Sequence, residues 1–247
     1  MSSSLRLRAS RRILLAGLFA LLAFGPGAQA AGAAEASLGS VAAHVQTVGS
    51  GSLNRTVVVR SAPRRTARRI AVLREFRSAY RPQIVLAVAS VRDKRTGAPS
   101  WYRIVLPGRP NGRRGWIPAR AAAIRPNNRL ITIDRSARRL TLWRGGRPLV
   151  STTVAVGARG METPLGLFYV TWRFVPRAPI LGAYAFETSA YSKLSDWPGG
   201  GIVGIHGTPM PWLLGQAVSH GCVRVHNRAI LRLRRFVRLG TPIKIVA

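Results

Sequence analysis

The chain has 247 residues, enough for one large domain or two small ones and too many for a peptide or mini-domain. Its 39 basic and 7 acidic residues give a formal charge of +32, almost all of it arginine, since Lys94, Lys193 and Lys244 are the only lysines. Such a charge directs attention to polyanionic partners and says little about fold, while a single cysteine, Cys222, excludes an internal disulfide framework.

Residues 1–30 have the pattern of an export leader. Arg6, Arg8, Arg11 and Arg12 form a positive segment, Ile13–Gly25 an apolar core, and Ala28-Gln29-Ala30 fits a small-residue cleavage site. Cleavage would remove four arginines and no acid, leaving +28. The apolar run is short for a membrane span. The expectation is an exported protein, secreted or facing the wall outside the cytoplasmic membrane, with membrane contact only where the leader is retained. Export argues against nucleic acid as the partner of so basic a chain. Residues 31–53, rich in Ala, Gly and Ser, read as a flexible spacer in which His44 is a solvated side chain.

From residue 54 to 125 short apolar runs alternate with turn signals, and strands are expected at Thr56–Val59, Ile84–Val91, Trp101–Leu106 and Gly115–Ile117. Val59-Arg60-Ser61-Ala62-Pro63, Trp101-Tyr102-Arg103-Ile104 and Gly115-Trp116-Ile117 resemble a bacterial SH3-like domain. That resemblance implies a small barrel of a kind that often binds wall peptides or glycan-linked groups; core packing is the simpler use of Trp101 and Trp116. Arg64-Arg65, Arg68-Arg69 and Arg113-Arg114 read as solvated loop charges.

After a turn-rich junction at Arg125-Pro126-Asn127-Asn128, a second unit spans 128–247. Strands are expected at Leu130–Ile133, Leu140–Trp143, Leu149–Val156, Leu167–Arg173 and Ile243–Val246. Phe174–Gly201, with Pro176, Pro179 and Pro198, reads as a long loop or a lid carrying a small hairpin. Tyr184, Tyr191 and Trp197 are its lid contacts or packing residues. Asn227 is placed to cap a helix over Arg228–Arg238, with Leu231, Phe236 and Val237 on its apolar side and Gly240 ending it.

The chemistry concentrates in Ile202–Asn227, which holds Cys222 and three of the four histidines. A thiol in Ser219-His220-Gly221-Cys222 can face a cleft, and a neighbouring imidazole is the usual means of activating it. His206 ends the apolar run Ile202–Ile205 just before Gly207-Thr208-Pro209, where a strand can hold a base rigidly. We assign the base to His206 and a supporting role to His220. The competing readings are a buried, inert cysteine and a zinc site from His206, His220 and Cys222, which lacks the usual ligand spacing. His226 reads as a loop or helix-entry residue. No acid lies within six residues of His206, so a carbonyl near Gly207 or the Thr208 hydroxyl is the expected partner of its second nitrogen. The N–H groups of Gly221 and Cys222, with His220, are the expected oxyanion donors.

The elements His206-Gly207-Thr208-Pro209 and Ser219-His220-Gly221-Cys222-Val223-Arg224-Val225 resemble the active-site signature of the L,D-transpeptidase catalytic domain. Thr163-Pro164-Leu165-Gly166-Leu167-Phe168, Ala190-Tyr191-Ser192 and Trp197–Gly201 extend the likeness over about half of the chain. The resemblance implies a mainly β fold, a small SH3-like barrel followed by a β-rich catalytic domain with one or two short helices. It also implies a cysteine acyl-enzyme acting on peptidoglycan stem peptides, with loss of D-alanine and a 3→3 cross-link, and Gly207 as the backbone partner of His206. Hydrolysis at the same site would make an L,D-carboxypeptidase. Arg224, where some members carry asparagine, is set against a substrate carboxylate, with Thr208 and Ser219 as further substrate contacts. Anionic wall polymers are a second class of partner, no metal or organic cofactor is called for, and a monomer is expected. Covalent inhibition by carbapenem-type β-lactams at Cys222 is a further implication.

Three rival classes remain. A papain-like wall endopeptidase places cysteine before histidine, the reverse of His206 and Cys222, although His226 follows Cys222. A non-catalytic wall-binding protein would carry Ser219–Cys222 as a remnant, and a cationic nucleic-acid binder would act inside the cell.

Overall fold

The structure, a computed structural model, describes residues 45–196 and 199–247. The leader expected at 1–30, His44 and the lid residue Trp197 lie outside the described residues. Strand dominates, and the fold is mainly β.

The N-terminal unit is a six-stranded sheet of β1 (Gly49–Ser52), β2 (Val57–Arg60), β3 (Arg69–Leu73), β4 (Ile84–Arg92), β5 (Pro99–Val105) and β6 (Arg114–Pro118). Their order is β1-β4-β5-β6-β2-β3. Alternation sets its core: Val57 and Val59 turn inward from β2, Tyr102 and Ile104 from β5, and Ile117 from β6. Two strands were not expected. β1 falls within the stretch read as a spacer, paired with β4 through Gly49 and Ala87 and followed by the buried Leu53. β3 falls among arginines, whose guanidinium ends can stay in water while the backbone pairs.

The C-terminal unit contains β7 (Arg129–Asp134), β8 (Arg139–Arg144), β9 (Arg147–Gly157), β10 (Gly166–Phe174), β11 (Ala185–Tyr191), β12 (Ile202–His206), β13 (Ala217–Ser219), β14 (Val223–Val225) and β15 (Pro242–Val246). The order β9-β14-β12-β11-β10-β15-β7-β8 returns from β8 to β9, so these eight strands close a barrel, with β13 added on β9. Closure removes the unpaired edges that an open sheet would expose. Ile131, Leu142, Phe168, Phe186, Ile205 and Val223 belong to its buried core.

Two expectations are corrected here. The stretch 174–201 is not one long loop, because β11 within it is a central strand, bonded to β10 and β12 and burying Phe186 and Ala190 completely. Proline density around it concealed seven residues of good strand. The helix, α1, spans Asn227–Arg234, and its cap is His226, whose Nδ1 accepts the Arg228 N–H at 3.1 Å. Asn227 turns away, and its Oδ1 accepts the Ala183 N–H at 2.9 Å. Across the barrel, Arg173 donates to the Arg234 and Val237 carbonyls at the helix end, where cations favour the helix dipole. α1 buries Ile230 and Leu233, while Leu231 is 42% exposed. Leu233→Ala should therefore cost about 2–5 kcal/mol in denaturant unfolding, and Leu231→Ala about 0.5 kcal/mol or less.

The units are packed together. Ile84, Leu86 and Val105 of the first form one buried cluster with Tyr169 of the second. Arg77 and Arg81 of the first pair with Glu187 of β11 at 2.5 and 3.2 Å. Among the described residues, no helix is long and apolar enough to cross a membrane.

Candidate active site

β12 and β14 run parallel, with Ile205 beside Val223 and His206 beside Arg224. Alternation divides their side chains. Val203, Ile205, Val223 and Val225 enter the barrel core. Ile202, Gly204, His206, Cys222 and Arg224 line the opposite side, on a cavity of about 450 Å³. Extended pairing thus converts residues sixteen apart into neighbours on one wall.

Gly204 borders both reactive side chains. A Cβ at this position would lie 3.7 Å from His206 Cδ2 and 3.9 Å from Cys222 Sγ, so the imidazole and the sulfur share one neighbourhood on the wall. The Gly204 N–H donates to Sγ at 3.3 Å. His206 is buried, and its Nδ1 lies 2.6 Å from the Gly207 carbonyl. A carbonyl only accepts, so Nδ1 carries the proton and Nε2 keeps a lone pair. A peptide carbonyl orients this imidazole where other cysteine and serine sites use a side chain.

The cavity wall includes one acidic residue, Glu187, whose carboxylate also accepts the Thr171 hydroxyl at 3.0 Å besides the two arginines. Arg224 is half-buried on the same wall. Burial pushes the Cys222 thiol up, against smaller downward pulls from the Gly204 N–H and Arg224. Burial also holds His206 below the ordinary imidazole range; the Gly207 carbonyl opposes this, Arg224 adds to it, and the Leu181 carbonyl opposes it. Both shifts favour neutral thiol and neutral imidazole at rest. Alkylation by iodoacetamide, which reads the thiolate, should therefore inflect above the usual thiol value of about 8.5. A profile inflecting near pH 6 would instead reveal a preformed thiolate–imidazolium pair.

The loop before the thiol is laced from two sides. The Ser219 hydroxyl donates to the Cys222 carbonyl at 2.5 Å and accepts the Gly221 N–H at 3.2 Å. Thr163 Oγ1 donates to the Gly221 carbonyl at 2.9 Å and accepts the Gly157 N–H at 2.9 Å. Gly221 has φ of 114°, a region open to glycine and strained for other residues.

His220, Ser219, Cys222, His206 and Arg224 come together at the cavity. Gly207 stands behind the imidazole and Gly221 behind the thiol. The Ser219 hydroxyl is spent on the loop backbone. Thr208 is buried off the cavity wall, its hydroxyl accepting the Met210 N–H at 3.1 Å. Sequence reasoning missed Glu187 and its arginines, which no local pattern marks. Thr163 stood in a motif, but its tie to a loop 58 residues away did not show. Among the described residues, no cluster of three His, Cys, Asp or Glu side chains is placed to share a metal ion.

Residues 128–245 match the family model of the L,D-transpeptidase catalytic domain. The chain is 34% identical over 115 residues to YkuD of Bacillus subtilis (strain 168), a protein named as an L,D-transpeptidase, covering 47% of this chain and 64% of that relative. The same identity and coverage hold for YkuD of Bacillus licheniformis. The chain thus spans somewhat under two thirds of the curated relatives it matches. Among solved structures, an L,D-transpeptidase from Mycobacterium smegmatis aligns at 16% identity and a TM-score of 0.43, over 66% of this chain and 90% of that one. An L,D-transpeptidase from Mycobacterium tuberculosis H37Rv aligns at 12% identity and a TM-score of 0.45, over 82% and 99%. The likeness rests on the sequence match: over residues 128–245 this chain is similar to the L,D-transpeptidase catalytic domain family.

Proposed function

We propose that the protein is a peptidoglycan L,D-transpeptidase working through a Cys222 thioester, exported to the wall side of the membrane. The observation that carries this reading is the placement of the Cys222 sulfur and the His206 ring next to Gly204 on one cavity wall, with Nδ1 held by the Gly207 carbonyl.

In the first half-reaction His206 Nε2 takes the thiol proton as sulfur attacks the carbonyl of the third stem residue. The Cys222 N–H receives the developing oxyanion, since the expected second donor, the Gly221 N–H, is given to the Ser219 hydroxyl at 3.2 Å. His206 then gives its proton to the departing D-alanine amine, leaving a thioester. In the second, the side-chain amine of another stem gives a proton to His206 and attacks the thioester, and the thiolate recovers that proton as it leaves. Arg224 offers its guanidinium to a substrate carboxylate, and the net positive charge of the chain draws anionic wall material towards it.

The test is incubation with disaccharide-tetrapeptide and mass spectrometry of the products. Release of D-alanine with a dimer joined between third residues is expected. A tripeptide without dimer would assign the site to hydrolysis, and neither product would refute the reading.

A further inference from the structure

The N-terminal unit grips the segment that walls the active cavity. The loop 107–112, between β5 and β6, reaches across to the end of β11. There the Asn111 side chain pairs with both backbone groups of Tyr191, its Nδ2 donating to the carbonyl at 2.7 Å and its Oδ1 accepting the N–H at 3.0 Å. Arg109 inserts its guanidinium into the bend that follows. Nη2 donates to the Ser192 and Leu194 carbonyls at 2.9 and 2.8 Å, and Nη1 donates to the Gly200 carbonyl at 2.9 Å. The same guanidinium lies 4.9 Å from the centre of the Tyr191 ring. The bend is closed behind it by the Ser192 N–H donating to Gly201 at 2.8 Å. A Cβ at Gly201, where φ is 75°, would run into the Leu194 carbonyl oxygen and fall 2.5 Å from Arg109 Nη2, so only glycine fits this closed bend.

This held segment touches the site at two places. Gly199 and Ile202 line the cavity that contains Cys222 and His206. Ser192 backs the loop before the thiol so closely that a Cβ on Gly221 would lie 2.8 Å from Ser192 Cβ. A planar fork with several donors can span three carbonyls at once, and a lysine ammonium presents only a point charge.

We propose that Arg109 and Asn111 are positioning residues: through residues 191–194 and 199–202, the N-terminal unit holds the thiol loop and one wall of the cavity in reactive geometry. The N-terminal unit is then a working part of the active site as well as whatever tether or wall contact it provides. The kinetic consequence rests on the transpeptidase reading, whereas the geometric one does not.

Arg109→Ala, Asn111→Ala and Arg109→Lys in the full chain test it, with Arg95→Ala, on an exposed hairpin, as control. Because Cys222 is the sole thiol, its iodoacetamide alkylation rate reads the segment without any substrate. Loosening should raise that rate about fivefold or more in Arg109→Ala, as local opening exposes the sulfur. On disaccharide-tetrapeptide, kcat for D-alanine release should fall about 10–100-fold, the cost of a small misplacement of the reacting group, with KM changing less. Asn111→Ala should move both readouts the same way by less, Arg109→Lys should restore them only in part, and Arg95→Ala should change neither. A lowered melting temperature with wild-type alkylation and kcat would reduce the contacts to an interface staple and overturn the proposal. Should the wild type not turn over stem peptide, the functional reading fails and the alkylation rates alone decide this one. If Arg109→Ala does not fold, Asn111→Ala and Arg109→Lys carry the same comparison.

Discussion

Cys222→Ala is expected to abolish both D-alanine release and dimer formation, a loss of roughly 10,000-fold or more in kcat/KM, because both half-reactions of the proposed mechanism pass through one sulfur. No other thiol in the chain can substitute for it. The mass of the intact protein makes the same point from the other side. Wild type should gain an acyl adduct on mixing with donor peptide or a carbapenem, and Cys222→Ala should gain none. The variant should keep its fold, since the residue is only half-buried and the loop is held through Ser219 and Thr163 rather than through sulfur. If cross-linking survived in Cys222→Ala, the thioester would be excluded. If the wild type bound wall material and the variant bound it equally, with no turnover in either, the chain would be a wall-binding protein.

His206→Ala should lower kcat/KM by about 100- to 10,000-fold, the usual contribution of a positioned general base. His206→Asn is the more informative change, because its amide nitrogen takes the place of Nδ1 and can still donate to the Gly207 carbonyl while offering no base; a loss similar to that of alanine would separate proton transfer from mere space-filling. The wild-type pH profile follows from the direction of the shift. Burial lowers the His206 pKa, so the neutral ring survives to lower pH than an ordinary imidazole. Activity should therefore hold below about pH 6.5 and fall only as the ring finally takes up a proton. Stability has the same sign. The unfolded chain binds that proton first, so His206 contributes fully above the unfolded pKa and its contribution is lost as pH falls towards the folded one. An acid limb in kcat/KM at or above pH 6.5 would contradict a buried, neutral base.

Much of this was legible in one dimension because it is local. Most strands carry their own alternation or apolar run, and nine of those expected appear within about two residues of the expected bounds. The thiol stood out in a short polar segment beside glycine, and the imidazole at the end of an apolar run just before Gly207. Where local rules failed, a second element had supplied the reason. β11 looked like part of a lid because its flanks are rich in proline and glycine, yet bonding to strands on both sides makes it core. Asn227 looked like a helix cap, the role it commonly has, but its oxygen is drawn to Ala183 across the barrel and His226 takes its place.

Residue order alone was enough to expect a mainly β chain, a junction near residue 126, and a cysteine with an upstream histidine as the proposed reacting pair, since each expectation depends on a continuous stretch of chain. Tertiary structure alone decided that Gly204 borders both of them, that the Gly207 carbonyl and not the Thr208 hydroxyl holds the imidazole, that Arg77 and Arg81 of one unit reach Glu187 on the cavity wall of the other, and that Arg109 reaches the backbone leading to that wall. The physical reason is that hydrogen bonds and ion pairs form between whatever groups the closed barrel brings within about 3 Å, and a guanidinium 80 or more positions away leaves no mark on the sequence around its partner.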